Sequence, residues 1–273
     1  MADSLTIEGS SSAYSNILAV KEGNENTPEV LALIAALESK AVADFIAEKY
    51  AGAVVSTIEN PGDGYDATVD YEALKDVTIT VAASPTPHAE ILEVAKELLA
   101  AKGVTLEIQT FNDYVVPNNV VEDGTVTANY FQHVPYLDTF NADNGTHLVS
   151  VAMVHYEPFG IYAGTKSAIA DLAEGDKIAI PNDGSNRARG LLLLEQEGII
   201  KLKEGVGMEA TVLDIAENPL NLDIVEMEAA QIAGVRDSVA LAVINGNYAL
   251  NAGLNAGTDA IAVEDAESIS ATT

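Results

Sequence analysis

The sequence predicts an α/β fold of the doubly wound kind, a twisted sheet with helices laid across it. Val77 to Ala83, VTITVAA, is a nearly unbroken β-branched run, the pattern of a strand buried on both faces. A helical stripe follows, with Ile91, Leu92, Val94, Ala95 and Leu98 on one face of about His88 to Lys102, and then a strand from Thr105 to Thr110. Strand, helix and strand over about 30 residues imply a right-handed crossover between parallel strands. Strand and helix signals then keep alternating as far as Ile244.

In chain order, residues 1 to 13 are polar and Ser-rich and read as a loose end. Asn16 to Val20 is a short strand closed by the polar turn KEGNEN. Thr27 has the character of an N-cap with Pro28 at the first helical position, and Leu31, Leu33, Ile34 and Leu37 recur at helical spacing. A second helix runs from about Ser39 to Tyr50, with Val42, Phe45 and Ile46 on one face. Ser56 to Asp76 is acidic and broken by Pro61-Gly62-Asp63-Gly64, so it reads as a linker. Its carboxylates Asp63, Asp66 and Asp70 lack the register of a calcium loop, and a solvated loop is the reading preferred. After the β-α-β unit come a helix at about Pro117 to Asp123, a strand at Ala128 to Phe131, a helix at about Val134 to Asn141 and a long strand at Leu148 to Tyr156. Lys177 to Pro181 is again a strand. Asn182 to Ser185 cap a helix from Arg187 to Gln196, which Gly198 ends. Thr211 to Leu213 and Ile224 to Glu226 read as short strands, and Val239 to Ile244 as the last strong one. No internal repeat is visible.

Composition bounds the function. At 273 residues, 48% of them apolar, the chain can bury one large core or two smaller ones. Forty-two acidic residues against 13 basic ones give a net charge of -29, which repels phosphate backbones and anionic headgroups, so no nucleic-acid or membrane-surface partner is expected. Cysteine is absent, which excludes disulfides, thiolate catalysis and cysteine-based zinc sites, and leaves the redox compartment open. No apolar run reaches membrane-spanning length, and MADSLTIEGSSS lacks the features of a signal peptide.

Ring surface is concentrated between Phe111 and Tyr136, which with Tyr114, Tyr130, Phe131 and His133 crowd one stretch of a chain that is only 5% aromatic. From these residues alone an aromatic core patch comes first and a small-molecule pocket second. Position favours the pocket. Ligands of doubly wound sheets sit at the carboxyl ends of strands, where Ser84 to His88 and Phe111 to Tyr114 fall. Arg189, expected in the first turn of its helix, opposes the helix dipole there and hints at function. Its planar fork suits a carboxylate, although an ion pair with one of the many acidic residues is an equal reading. His133 has the chemistry of a base, but no nucleophile motif accompanies it and the four histidines show no metal-ligand spacing, so pocket lining is preferred. Asn16, Asn186 and Asn245 carry donors and acceptors suited to a zwitterion, with turn-making as the commoner use. No catalytic residue, metal or cofactor is expected.

Several segments then carry a family resemblance: Pro87-His88-Ala89-Glu90-Ile91, Phe111 to Tyr114, Phe131-Gln132-His133 with Pro135-Tyr136, IPNDGSNRARGLLLLEQEGIIKLKEGVG (180 to 207), LDIAENPLNL (213 to 222) and AVINGNYAL (242 to 250). Collinear over about 80 to 268, they resemble the methionine-binding NLPA lipoproteins, the substrate-binding components of methionine ABC importers. The segment 12 to 55 resembles that family's C-terminal part, which would ordinarily follow VEDAES (263 to 268). The chain thus looks circularly permuted, family tail first. A truncated tandem duplication is the alternative, set aside because nothing is represented twice.

The resemblance implies a two-lobed periplasmic-binding-protein type II fold, each lobe a mainly parallel sheet flanked by helices. Lobe I would comprise 1–55, 77–155 and 249–268, with 56–76 as the joining linker and a reach on the order of 25 Å, and lobe II 156–248. It implies a non-enzymatic protein binding L-methionine or a close analogue between the lobes, with a sensor for another amino acid or a methionine-containing dipeptide as the alternative, and an enzyme on the same scaffold behind it. Its other partner would be the membrane permease, its location extracytoplasmic, and its state monomeric. By the same resemblance Tyr114, Phe131, His133 and Tyr136 would surround the ligand side chain and Arg189 would take the carboxylate. Asn186 would lie nearby, Asn245 would help hold the amino-acid backbone, and Asn16 would close the site. The chain departs from the family in its segment order and in lacking the lipobox cysteine.

Overall fold

The computed structural model describes residues 13–265; residues 1–12 and 266–273, with the expected loose end and the last part of lobe I, lie outside them. The first half of the chain builds β1 (Asn16–Lys21), α1 (Pro28–Leu37), α2 (Lys40–Tyr50), β2 (Val55–Ser56), β3 (Thr78–Ala83), α3 (Glu90–Ala101), β4 (Thr105–Thr110), α4 (Val116–Glu122), β5 (Ala128–His133), α5 (Val134–Asn144) and β6 (Leu148–Tyr156). The second half builds β7 (Gly160–Ala163), β8 (Lys177–Pro181), α6 (Gly184–Gln196), β9 (Lys201–Leu202), β10 (Ile215–Glu217), β11 (Asp223–Met227), α7 (Ala229–Ile232), β12 (Leu241–Ile244), α8 (Gly246–Asn251), α9 (Ala256–Asp259) and β13 (Ala260–Val263).

Two principal sheets result, one in order β2-β6-β1-β5-β3-β4 and one in order β11-β8-β12-β7-β13. Each has its own core. Leu18, Leu33, Ile79, Ile91 and Val154 are buried together in one, and Phe159, Ile178, Leu191 and Val243 in the other. The expectation of mainly parallel sheets holds only for part of each. β3 runs parallel to β4 and β5, as the crossover helix α3 requires, and β8 runs parallel to β11 and β12. β1 is antiparallel to both β5 and β6, and β7 to both β12 and β13. No crossover helix joins β1 to its distant partners, so nothing forces a parallel direction on it.

Local capping follows the sequence. The Ser39 hydroxyl accepts the Val42 N–H at 3.2 Å at the start of α2, and Asp183 accepts the Asn186 N–H at 3.0 Å at the start of α6. That cap places the start of α6 at Gly184, three residues before the expected Arg187, so Arg189 sits in the second turn. Arg189 is therefore beyond the first turn, where the helix dipole acts, and is not opposed by it as expected. Val212–Asp214 is a 3-10 turn, not a strand, because Thr211 and Asp214 close a capping box around it. β13, expected in lobe I, pairs with β7 and so belongs to the second sheet.

The segment between β2 and β3 is not a free tether. Gly62 exchanges backbone hydrogen bonds with Glu38 and Lys40 at 3.0 and 2.8 Å, and Val69 and Leu74 are buried in the first core. Lys102 Nζ stands 4.4 Å from the Tyr65 ring centroid and 5.7 Å from that of Tyr71. Acidic composition hid these apolar and aromatic anchors. At Gly64, φ is +94° and an added Cβ would lie 2.8 Å from Leu98 Cδ1. Gly64→Ala should therefore destabilise the protein by about 1–3 kcal/mol, lowering the melting temperature by several degrees in a thermal unfolding scan. An unchanged melting temperature would mean that the segment is not docked.

Candidate functional site

The site lies at the end of the first sheet where β5 finishes and β1 begins, beside residues of α6 and α8. Asn16 opens β1, and because β1 is antiparallel to its neighbours it pairs with His133 at the end of β5 and His155 near the end of β6. A cleft of about 340 Å³, counting its mouth, is lined by all eight expected residues: Asn16, Tyr114, Phe131, His133, Tyr136, Asn186, Arg189 and Asn245. Gln132, Glu157, Gly246 and Asn247 line it too, and sequence reasoning missed these four. The signal they carried was position: Gln132 is the penultimate residue of β5, Glu157 immediately follows β6, and Gly246 and Asn247 open the helix after β12.

The aromatic wall is a box of rings. Tyr114 lies 5.6 Å from both Phe131 and Tyr136, and Phe131 lies 5.9 Å from Tyr136. Their polar handles are used elsewhere. Tyr136 Oη donates to the Tyr114 carbonyl at 2.9 Å, and Tyr114 Oη donates to Asn247 Oδ1 at 2.6 Å. With Tyr248 Oη on the Asn112 carbonyl at 3.2 Å, these contacts tie the loop after β4 to α8 across the cleft. The box thus offers ring surface and no free hydroxyl.

The polar wall is oriented by one chain of hydrogen bonds. Asp183 Oδ1 accepts Asn186 Nδ2–H at 2.9 Å, which turns Asn186 Oδ1 toward Asn245 Nδ2 at 2.9 Å and His133 Nε2 at 3.1 Å. His133 Nδ1 accepts the Tyr136 N–H at 3.2 Å, so both of its ring nitrogens are committed and it is an anchor, not a base. Among the residues that line the cleft, two buried side-chain atoms are left without hydrogen-bond partners, the acceptor Asn245 Oδ1 and the donor Asn247 Nδ2. Orphaned groups of opposite kind on one cavity wall await a ligand that both donates and accepts.

Arg189 confirms the ion-pair reading and remains in the wall. Its guanidinium lies between the rings of Tyr14 and Phe159, 4.1 and 4.6 Å from their centroids. Nε donates to Glu264 Oε2 at 2.6 Å, and Nη2 donates to Glu264 Oε1 and, at 3.3 Å, to the Glu157 carbonyl.

The fold also joins residues that spacing kept apart. Ligand atoms of His88, His155 and Glu157 lie within 4.8 Å of one another. His155 Nε2–H donates to Glu157 Oε1 at 2.7 Å, Tyr130 Oη donates to His155 Nδ1, and His88 Nε2–H donates to Asn16 Oδ1 at 2.8 Å. A metal would have to break at least two of these bonds, so the donor set fits a network that aims Glu157 and Asn16, not a metal site.

The family model of the NlpA lipoproteins matches residues 1–58 and 79–273. The chain belongs to the NlpA lipoprotein family. Among curated relatives, the D-methionine-binding lipoprotein MetQ of Escherichia coli is 43% identical over 220 residues, 80% of this chain and 79% of that one. The membrane lipoprotein TpN32 of Treponema pallidum is 45% identical over 70% of this chain and 71% of its own. Among solved structures, a lipoprotein from Ruminococcus gnavus superposes with a TM-score of 0.69 at 59% identity, covering 72% of this chain and 81% of that one. A nutrient-binding protein from Burkholderia cenocepacia, bound to methionine, superposes with a TM-score of 0.66 at 44% identity over 68% and 79%. The two-lobed type II fold is thereby shown for this NlpA-family chain, and the family is one of substrate-binding proteins, not enzymes.

Burial sets the protonation of this NlpA-family site. It lowers His88, His133 and His155 to about 3, which keeps all three neutral near pH 7. It pushes Glu157 up to about 6, with His88 and Arg189 pulling the other way. For the histidines the folded pKa lies below the ordinary 6.5, so their contribution to stability is present above 6.5 and is lost as pH falls toward 3. Glu157 works oppositely over the narrower window from 4.5 to about 6. Urea unfolding from pH 7 to 4 should therefore show stability falling, with net uptake of protons on unfolding. A flat profile would contradict burial of three neutral imidazoles.

Proposed function

We propose that this protein binds free methionine in the cleft between its lobes and delivers it to the membrane permease of an ABC importer. One observation carries the reading. The same cavity presents a three-ring box without free hydroxyls and, opposite it, an unpartnered amide acceptor and an unpartnered amide donor. Aromatic rings make favourable contacts with thioether sulfur, and paired donor and acceptor groups match a zwitterionic amino-acid backbone. The methionine held by the Burkholderia cenocepacia relative supports the choice of ligand. In this reading Tyr114, Phe131 and Tyr136 hold the side chain, with His133 and Asn186 orienting the wall. Asn245 accepts from the ammonium, while Asn247, Asn16 and the guanidinium edge of Arg189 face the carboxylate.

The lobes in this proposal are 13–55 with 77–155, and 156–248 with β13, and the protein works as a monomer outside the cytoplasm. Kinship with lipoproteins supports that location, and no helix among the described residues is long and apolar enough to cross a membrane. The segment order is read as a circular permutation. Three observations support it: the family match breaks at 59–78, a gap that overlaps the expected linker 56–76; the solved relatives match over only 68–72% of this chain; and Tyr14 and Glu264, each next to an end of the described chain, both meet Arg189.

At 100 times its dissociation constant, methionine should add about 2.7 kcal/mol of stability, seen as a melting-temperature rise of roughly 5–10 °C. The absence of any shift with L- or D-methionine, other amino acids or short peptides would sink the transport reading. Calorimetry of Asn16→Ala should show affinity about tenfold weaker, the effect of losing a hydrogen bond worth about 1.4 kcal/mol. Unchanged affinity would remove Asn16, and with it the permuted segment, from the site.

A further inference from the structure

The ammonium of an amino acid brings three N–H donors, and the asparagines leave it few acceptors. Asn16 Oδ1 is taken by His88, Asn186 Oδ1 by His133 and Asn245, and Asn247 Oδ1 by Tyr114. Gln132 Oε1 is taken by Asn118 at 3.0 Å. Of the side-chain amide oxygens in the wall, only that of Asn245 is open. The cavity wall contains one carboxylate, Glu157.

Glu157 is built into place. His155, itself fixed by Tyr130, donates to Oε1, the Asn247 backbone N–H donates to the carboxylate, and Oε2 lies against Gly246, where a Cβ would come within 2.7 Å. The side chain is only 6% exposed. The groups around it are His155 from β6, His88 from the turn before α3 at 3.5 Å, Tyr130 from β5 and Arg189 from α6, with Tyr50, Tyr114 and Tyr162, protonated tyrosines whose hydroxyls are pushed up by burial. Both imidazoles are neutral, Tyr130 stays protonated, and the guanidinium charge is matched by Glu264. A buried carboxylate without its own cation is unfavourable unless something supplies one.

We infer that Glu157 receives the ammonium of the ligand and so makes a free α-amino group the requirement for entry, admitting unblocked amino acids and excluding N-acylated and desamino analogues. This rests on the cavity being the methionine site and assigns the specificity within it. Because burial holds a proton on Glu157 below about pH 6, binding must displace that proton, and affinity falls about tenfold per pH unit below that point.

The test is calorimetry of the full chain with L-methionine, N-acetyl-L-methionine and 4-(methylthio)butanoate. The wild type should prefer methionine to both analogues by at least about a hundredfold, and its affinity should drop from pH 7 to pH 5. Glu157→Gln should lose about a hundredfold for methionine, keep or improve its affinity for the desamino analogue, and lose the pH dependence. A variant that keeps the wild-type preference overturns the assignment while leaving methionine binding intact. A wild type that ignores methionine overturns the functional reading itself. Should the variant not fold, the wild type alone decides: equal affinity for methionine and the desamino analogue, or no proton release on binding at pH 5.5 in buffers of different ionisation heat, overturns the inference.

Discussion

The Arg189–Glu264 ion pair is the contact on which both the site and the chain ends converge. Arg189 belongs to α6 of the second lobe, Glu264 follows the last strand, and Tyr14, whose ring covers the guanidinium, precedes the first. Tyr156 Oη and the Phe159 N–H add bonds to the same carboxylate at 2.5 and 3.2 Å, where the chain passes between the two sheets. A buried pair of this kind is favourable only when its remaining hydrogen-bonding capacity is satisfied, since the desolvation of each ion rivals their attraction. Here the carboxylate has four donors and the cation two ring faces, so both requirements are met. The pair also leaves the cavity beside it with a cation whose charge is already balanced.

That balance shapes the remainder of the site. With Arg189 bonded to Glu264 and the histidines neutral, Glu157 is the carboxylate of the wall with no Lys or Arg ion pair among the described residues, and the amides around it are turned by their neighbours, not by chance. Asp183 orients Asn186, Asn186 orients Asn245 and His133, and His88 orients Asn16. Asn186 and His133 are bonded at both ends, whereas Asn16 and Asn245 are bonded at one, which decides which end of each faces the cavity. In a low-dielectric interior such chains are either fully satisfied or destabilising. The two atoms left over, Asn245 Oδ1 and Asn247 Nδ2, sit where a zwitterion can complete the pattern.

The fold is compatible with the segment order proposed above, because its contacts do not depend on that order. β1 lies inside the first sheet with both edges paired, although its neighbours β5 and β6 come much later in the chain. Burial of Ile17, Leu18, Ala19 and Val20 stabilises it there regardless of which segment precedes it. The stretch between β2 and β3 adds contacts of its own through Val69, Leu74, Tyr65 and Tyr71, so what composition marked as spacer packs against the first core.

Periodicity alone specified the strands at Thr105, Leu148 and Lys177 and the helices beginning near Pro28 and Ser39, because each buries one face or both and so repeats a local pattern. It missed β7, β13 and α8, which are short and take their shape from their partners. The family motifs named eight residues that do share one cavity, since a strand-end position is already encoded by the strand. What they could not specify was which atom of each residue faces inward. Asn16 has its Oδ1 taken by His88 and so keeps only its amide N–H for the cavity, Arg189 was already paired, and Glu157 and Asn247 entered the wall unannounced. Those outcomes depend on hydrogen bonds between residues 14 to 264 that only folding brings within 3 Å, a distance no pattern along the chain records.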